Sequence, residues 1–232
     1  MKNITHIFFD LDHTLWDTDK NSEESLNELF TEMELEELGI PSFKEFHIQY
    51  RKHNERLWGL YAENQIGKDA VRLHRFIHTL QDFNIHDQDK ALIIADKFVE
   101  RTPYKQHLIP GAKNILSHLY GRYNLSIITN GFSESQYIKL KESSIVDYFD
   151  HVFISEEIGI NKPDPAIFHY AVNKSGAQSI DNCLMVGDTY QTDIMGAISA
   201  GMKSIYLSSF DNTNNHENVI TIKSLDELIE LL

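Results

Sequence analysis

Two aspartates stand two positions apart, directly after an apolar run near the start of the chain, in the stretch FFDLDHTLWD. Side chains at this spacing point to the same side of an extended chain, so Asp10 and Asp12 could share one reacting centre. Asp10 could act as a nucleophile, while Asp12 could protonate a leaving oxygen and later activate water. The spacing therefore suits group transfer through a covalent carboxylate intermediate.

Further polar residues with complementary chemistry follow later segments of the chain. They are Thr129-Asn130-Gly131, Lys162 in NKPDP, and Asp188 and Asp193 in VGDTYQTD. Four converging acids would repel each other unless a cation neutralised them, and ligands that offer only oxygen favour Mg²⁺. Thr129, the amides after it and Lys162 would donate hydrogen bonds and positive charge to a phosphoryl group. The set predicts a magnesium-assisted phosphoryl-transfer site.

Each of these residues also has an ordinary structural explanation. Aspartate and asparagine commonly form turns after strands, and Asp193 could cap a helix that begins near it. A lysine such as Lys162 is most often a solvated surface residue. The indication of a site comes from the complete set, which occurs in order at successive strand ends.

The elements that would position these residues alternate along the chain. Short apolar runs predict buried parallel strands at residues 4–9, 125–129, 151–154, 183–187 and 204–207. Helical patterns lie at residues 112–120, 133–143, 165–175, 193–200 and 224–232. Such alternation predicts an α/β fold, in which ligands lie beyond the carboxyl ends of the strands. Asp164 should cap the helix that starts at Pro165.

The stretch from about Asp17 to about Thr102 interrupts this alternation. It contains no clear strand pattern, and its apolar residues recur at helical spacing. Gly39-Ile-Pro41 and Gly67 punctuate the pattern. We therefore predict a catalytic core of residues 1–16 and 103–232, with an inserted all-helical domain of residues 17–102.

The composition limits the partners that this chain could have. Its 232 residues carry a formal net charge of −14 without a block of Lys and Arg, which argues against a nucleic-acid polymer or a membrane surface. No apolar run approaches membrane-spanning length, and the N-terminal segment reaches Asp10 before a signal-peptide apolar region forms. We expect a cytoplasmic protein. The only cysteine, Cys183, lies in an apolar run and should be buried.

Taken together, these motifs resemble those of the haloacid dehalogenase superfamily. Its first motif, Asp-x-Asp-x-Thr, is found as Asp10-Leu-Asp12-His-Thr14, and the others as Thr129, Lys162, and Asp188 with Asp193. The resemblance covers nearly the whole chain and implies a Rossmann-like core with a helical cap that closes over the site. One departure is His13, where much of the superfamily has glycine.

The resemblance also implies a role for each motif residue. Asp10 would be the nucleophile and Asp12 the acid/base, while Thr129 and Lys162 would hold the phosphoryl group. The implied Mg²⁺ ligands are Asp10, the backbone carbonyl of Asp12, Asp188 and, directly or through water, Asp193.

Within the superfamily, the stretches ITNGFSESQ, FISEEIGINKP and LMVGDTYQTDIMGA look most like nucleotidases that hydrolyse pyrimidine nucleoside monophosphates. The expected substrate is therefore a small phosphate monoester, with nucleoside 5′-monophosphates preferred. The expected substrate-binding residues are Thr129, Asn130, Gly131, Lys162, Trp16 and Trp58. Either tryptophan could stack on a base.

Other activities on the same fold remain open. A phosphatase for phosphoglycolate or a sugar phosphate would use the same residues, as would a phosphomutase that yields an isomeric sugar phosphate. A dehalogenase needs neither a leaving-group proton nor a metal, so it does not account for Asp12, Asp188 and Asp193. A silent binding protein would be expected to lack Asp10 or Asp12, and the motif of a P-loop enzyme is absent from the sequence.

Overall fold

The computed structural model describes residues 3–208 and 219–232 of the chain. The chain divides into two compact units. We call Met1–Thr18 together with Gln106–Leu232 the sheet unit, and Asp19–Lys105 the helical unit.

The sheet unit is built on one six-stranded parallel sheet in the order β3-β2-β1-β4-β5-β6. The strands are β1 (His6–Phe9), β2 (Asn124–Thr129), β3 (His151–Ile154), β4 (Cys183–Gly187), β5 (Lys203–Leu207) and β6 (Ile220–Ile222). This confirms the predicted Rossmann-like α/β fold. β6 is not among the strands predicted from the sequence, because three residues at a sheet edge are too short to show a strand pattern.

The sheet separates two apolar layers, which explains why its central strands are apolar on both faces. Ile7 and Phe9 of β1 belong to one apolar cluster, whereas Phe8 between them belongs to the other. Alternate side chains of a strand point to opposite faces, so helices must cover both sides of the sheet. Cys183 at the start of β4 is a free, buried thiol, as predicted.

Ten α-helices lie within the described residues. They are α1 (Thr18–Glu32), α2 (Phe43–Ala62), α3 (Lys68–Gln81), α4 (Gln88–Arg101), α5 (Ala112–Leu119), α6 (Ser133–Glu142), α7 (Ser155–Ile158), α8 (Pro165–Ser175), α9 (Gly196–Ser199) and α10 (Leu228–Leu231). Across residues 3–208 and 219–232, none combines the length and apolar character needed to cross a bilayer.

The helix predicted over residues 193–200 differs from the observed structure. A π-helical turn, Tyr190–Met195, comes first, and the short α9 follows it. Inside this turn the Asp193 side chain points back, since its Oδ2 accepts a hydrogen bond from the backbone N–H of Thr189 at 3.0 Å. π-Helical turns occur frequently at functional sites, and this one holds Asp193 well inside the turn.

The helical unit consists of α2 to α4 and nearly all of α1, and no strand occurs among its residues, all of which are described. Its apolar core contains Phe46, Tyr50, Phe76 and Phe98, among other side chains. Arg75 is buried with them, and its guanidinium carbon lies 4.8 Å from the centroid of the Phe98 ring. The apolar residues that recur at helical spacing along this segment are thus largely core packing.

Candidate active site

Lys162 joins two carboxylates beyond the carboxyl ends of β1 and β4. Its Nζ donates to Oδ1 of Asp10 at 2.6 Å and to Oδ1 of Asp193 at 2.7 Å. The lysine is only 2% exposed, and a buried ammonium is stable only when opposite charges surround it. The ordinary explanation of Lys162 as a solvated surface residue is therefore wrong.

Asn130 fixes the backbone of Lys162 from the loop that follows β2. Its amide nitrogen donates to the carbonyl of Lys162 at 2.9 Å, and its amide oxygen accepts the N–H of Lys162 at 2.8 Å. Thr129, at the end of β2, is buried, and its hydroxyl oxygen accepts the N–H of Gly131 at 3.0 Å. The Asn130 side chain thus supports Lys162, and a direct contact of residues 129–131 with substrate stays a prediction.

Three carboxylates form a compact cluster around this lysine. Asp10, Asp188 and Asp193 each place one oxygen within 4.8 Å of the others, the only such group of three acidic, histidine or cysteine ligands among the described residues. Thr14 donates its hydroxyl to Oδ1 of Asp188 at 3.1 Å. A Cβ on Gly187 would lie 2.3 Å from Oδ2 of Asp193, so the last residue of β4 must be glycine for this packing.

The single positive charge of Lys162 does not balance the negative charges of Asp10, Asp188 and Asp193. Burial, together with the charges of Asp193, Asp188 and Asp12, raises the pKa of Asp10 well above its usual value despite the opposing charge of Lys162. Burial and the charge of Asp193 raise the pKa of Asp188 to about 7. A hard cation with oxygen ligands would relieve this repulsion, so the donor set fits Mg²⁺.

Asp12 lies in different surroundings from Asp10. Its Oδ1 accepts hydrogen bonds from Lys139 Nζ at 2.6 Å and Thr18 Oγ1 at 2.9 Å, and its Oδ2 accepts one from Gln136 Nε2 at 2.8 Å. Burial alone would raise the pKa of Asp12, but the charge of Lys139 and the hydrogen bonds from Lys139 and Gln136 lower it to about 2.

Lys139 and Gln136 are not among the site residues predicted from the sequence. The available signal was their spacing, because two long polar residues three positions apart share one face of α6, the helix that follows Thr129-Asn130-Gly131. That face turns towards the strand ends, where Asp12 lies.

A family model described as haloacid dehalogenase-like hydrolase matches residues 4–201. The chain belongs to this family. Among its relatives, it is 32% identical over 229 residues to the pyrimidine 5′-nucleotidase YjjG of Escherichia coli, covering 97% of this chain and 96% of YjjG. It is 30% identical over 211 residues to the N-acylneuraminate-9-phosphatase of Homo sapiens, covering 88% of this chain and 82% of that enzyme.

The overall architecture agrees with that of a solved family member. The HAD-hydrolase YfnB from Bacillus subtilis, in a crystal structure bound to magnesium, superposes with a TM-score of 0.88 at 27% sequence identity. The alignment covers 100% of this chain and 99% of YfnB. The shared fold therefore extends over both units of this haloacid dehalogenase-like hydrolase.

The two tryptophans of this hydrolase have different surroundings. Trp16 is 0% exposed within the apolar cluster of the sheet unit, and the Lys139 ammonium lies 4.4 Å from its ring centroid. This leaves no free face on which a base could stack, so the structure does not support the predicted substrate contact of Trp16. Trp58 in α2 is partly exposed, and its ring meets Tyr61 edge-on at 5.6 Å, so a substrate contact there stays a prediction.

His13, the departure from the family pattern, occupies the left-handed region of the backbone with φ 61°. Glycine adopts this conformation without the steric cost that a side chain brings. The His13 side chain is exposed, and the backbone N–H of His13 donates to the Trp16 carbonyl at 2.9 Å. The turn thus keeps the glycine-like backbone conformation while it carries a histidine.

Proposed function

We propose that this hydrolase is a Mg²⁺-dependent phosphomonoesterase that acts through an aspartyl-phosphate intermediate on Asp10. The observation that carries the proposal is the buried pairing of Lys162 with Asp10 and Asp193, with an oxygen of Asp188 in the same cluster. A nucleophilic carboxylate, a fixed ammonium and further acidic oxygens are the parts that phosphoryl transfer requires.

In the first half of the proposed reaction, a carboxylate oxygen of Asp10 attacks phosphorus, and the bond from phosphorus to the ester oxygen breaks. Asp12 delivers its proton to that departing oxygen. In the second half, water attacks the phosphorus of the aspartyl phosphate while Asp12 accepts a proton from it. Inorganic phosphate leaves, and Asp10 is restored as a carboxylate.

Asp12 must change its protonation state between these two steps. The contacts with Lys139 and Gln136 favour its carboxylate form, which is the form that accepts a proton from water. A phosphate dianion beside Asp12 would raise the pKa of its carboxyl by charge repulsion. Substrate binding would thereby favour the protonated form that the first step needs.

The Mg²⁺ ion would be held by Asp10, Asp188, the backbone carbonyl of Asp12 and, directly or through water, Asp193. It would neutralise the acidic cluster and polarise a phosphoryl oxygen. The Lys162 ammonium and the Thr129 hydroxyl would donate to the remaining phosphoryl oxygens, which carry the charge of the transferring group.

We further propose that pyrimidine nucleoside 5′-monophosphates are the preferred substrates. Similarity to YjjG over 97% of the chain supports this choice. Of the two tryptophans, only Trp58 retains an exposed portion on which a base could stack. A second candidate is a sugar phosphate monoester, which the similarity to the human N-acylneuraminate-9-phosphatase favours.

The deciding experiment is a panel of phosphate monoesters assayed with Mg²⁺ by release of inorganic phosphate. The panel should contain uridine and adenosine 5′-monophosphates, phosphoglycolate, a hexose phosphate and N-acylneuraminate 9-phosphate. We expect the highest kcat/KM for uridine 5′-monophosphate, because selectivity is a difference in transition-state binding. A preference of about tenfold for a sugar phosphate, about 1.4 kcal/mol, would reject the nucleotidase proposal and keep the phosphatase. An isomeric sugar phosphate as product would instead identify a mutase.

A further inference from the structure

The Asp12 carboxylate is held at both of its oxygens by side chains that the family motifs do not include. Lys139 donates to Oδ1 at 2.6 Å, and Gln136 donates to Oδ2 at 2.8 Å. Any rotation of the carboxylate would break at least one of these bonds. Two donors on opposite oxygens therefore fix its plane, and charge-assisted bonds of this kind are the stronger class of hydrogen bond.

Both donors are buried in a way that general stability does not explain. Gln136 is 1% exposed and Lys139 is 9% exposed, although long polar side chains are seldom buried and lose conformational entropy when they are fixed. The Gln136 amide oxygen has no hydrogen-bond partner among the described protein groups. An unsatisfied buried oxygen costs free energy, so burial alone does not favour the position of the Gln136 side chain. Its hydrogen bond to Asp12 accounts for that position.

The surroundings are shaped to keep these two side chains in place. The Lys139 ammonium lies 4.4 Å from the centroid of the buried Trp16 ring, a cation–π contact that orients its head group. Gly131 leaves room for Gln136, since a Cβ at position 131 would lie 1.4 Å from Gln136 Nε2. Trp16 and Gly131 thus help to hold the two α6 side chains that donate to the Asp12 carboxylate.

We propose that Lys139 and Gln136 are positioning residues that orient the Asp12 carboxylate for proton transfer, with Trp16 as the support for Lys139. The inference rests on the proposed phosphatase function, in which Asp12 exchanges a proton with the ester oxygen and then with water. Proton transfer requires the carboxyl to lie within hydrogen-bond reach of the reacting oxygen. Neither residue needs to touch the substrate for this role.

The kinetic test compares Lys139→Met and Gln136→Leu with the wild-type enzyme on two substrates. Uridine 5′-monophosphate releases a poor leaving alcohol that needs a proton. 4-Nitrophenyl phosphate releases 4-nitrophenolate, which departs without one. Both variants should lose kcat/KM, which reports the first half of the reaction, about tenfold or more on the nucleotide and about threefold or less on the aryl ester, a fraction of the 10²–10⁴-fold range of acid–base catalysis. Lys139→Arg should recover part of the loss, because it restores a cationic donor.

Lys141→Met is the matched control, because Lys141 lies on the same helix with its side chain exposed. It should keep wild-type rates on both substrates. Equal losses on the two substrates in Lys139→Met and Gln136→Leu, or no loss in either, would overturn the inference. If the wild-type enzyme hydrolyses neither ester nor any member of the panel, the proposed phosphatase function is rejected, and the positioning role that rests on it is rejected as well.

A spectroscopic test follows the Lys139 contact without any reaction. The chain has two tryptophans, so Trp58→Phe leaves Trp16 as the only indole emitter. In that background, Lys139→Met should change the intensity or wavelength of Trp16 emission, while Lys141→Met should not. Unchanged emission in a folded Lys139→Met protein would contradict the supporting role of Trp16. Should Lys139→Met not fold, Gln136→Leu gives the same kinetic comparison, with Lys141→Met as its control.

Discussion

At the scale of single residues, Asp10 and Asp12 show that the surroundings of an aspartate determine the direction of its pKa shift. Burial and the charges of Asp193, Asp188 and Asp12 raise the pKa of Asp10. The Lys162 ammonium opposes this shift, but Asp10 shares it with Asp193. Burial alone would raise the pKa of Asp12, but the Lys139 ammonium and the hydrogen bonds from Lys139 and Gln136 lower it to about 2. Environments that separate the pKa values of neighbouring acids are a common means of giving them different roles.

The nucleophile assignment predicts the effect of Asp10→Asn. The amide is close to the carboxylate in size, but it is a far poorer nucleophile, so turnover should fall at least about 10³-fold while the fold is kept. Phosphate release and circular dichroism measure the two quantities, and mass spectrometry excludes deamidation back to aspartate. Near-wild-type turnover in protein free of deamidation would reject Asp10 as the nucleophile.

Asp188 gives a prediction for the stability of the metal-free protein. Its pKa is raised from the ordinary value of 3.8 to about 7 in the folded state, so the folded state binds more protons than the unfolded state between these values. The free energy of unfolding must therefore fall as pH rises through this window. Asp188→Asn removes the titrating group, and its stability relative to wild type should rise by about 1–3 kcal/mol from pH 4 to pH 8.

Urea unfolding in a chelating buffer at both pH values measures this difference. Asp181→Asn is a suitable control, because Asp181 is an exposed aspartate outside the acidic cluster. Its stability relative to wild type should stay nearly constant with pH. A variant at position 188 that becomes relatively less stable at pH 8 would contradict the repulsion within the acidic cluster.

At the scale of secondary structure elements, α8 begins three residues after the site residue Lys162. Asp164 caps α8 as predicted, because its Oδ1 accepts the N–H of Ala166 at 2.9 Å and Pro165 takes the first helical position. The cap lies two residues after Lys162. The end of this helix thus limits where the lysine backbone can lie.

The capping contact predicts a modest and separable effect on stability. Asp164→Ala should lower the free energy of unfolding by about 1 kcal/mol, since one backbone N–H at the helix start loses its acceptor. Asp164→Ser supplies another acceptor and should retain most of the stability. Thermal or urea denaturation compares the two variants. If serine costs as much as alanine, the capping bond does not contribute to stability.

The sequence allowed the strand ends to be predicted but not every side-chain contact there. Apolar runs and the residues after them are local patterns, so Asp10, Thr129 and Asp188 could be recognised as neighbours of strand ends. Lys139 reaches Asp12 only because of the direction in which α6 leaves its loop, which no local pattern records. The sequence also does not reveal that Trp16 is buried, because its burial depends on packing between distant segments.

At the scale of the whole molecule, the repulsion within the acidic cluster links metal binding to stability as well as to turnover. Removal of divalent cations should therefore abolish turnover, and Mg²⁺ should restore it and raise the melting temperature, because an ion that binds only the folded state stabilises it. Phosphate release and a thermal scan measure the two effects. Asp188→Asn should lose most of the thermal shift, and full activity after exhaustive chelation would contradict metal dependence.

The close approach of Gly131 and Gln136 restricts the order in which these two positions can change during evolution. A side chain at position 131 would occupy the space of the Gln136 amide, where even a Cβ would lie 1.4 Å from Nε2. A side chain at position 131 therefore requires either a shorter residue at position 136 or rotation of Gln136 away from Asp12. In a library randomised at both positions and selected for turnover, side chains at 131 should be depleted wherever position 136 remains glutamine.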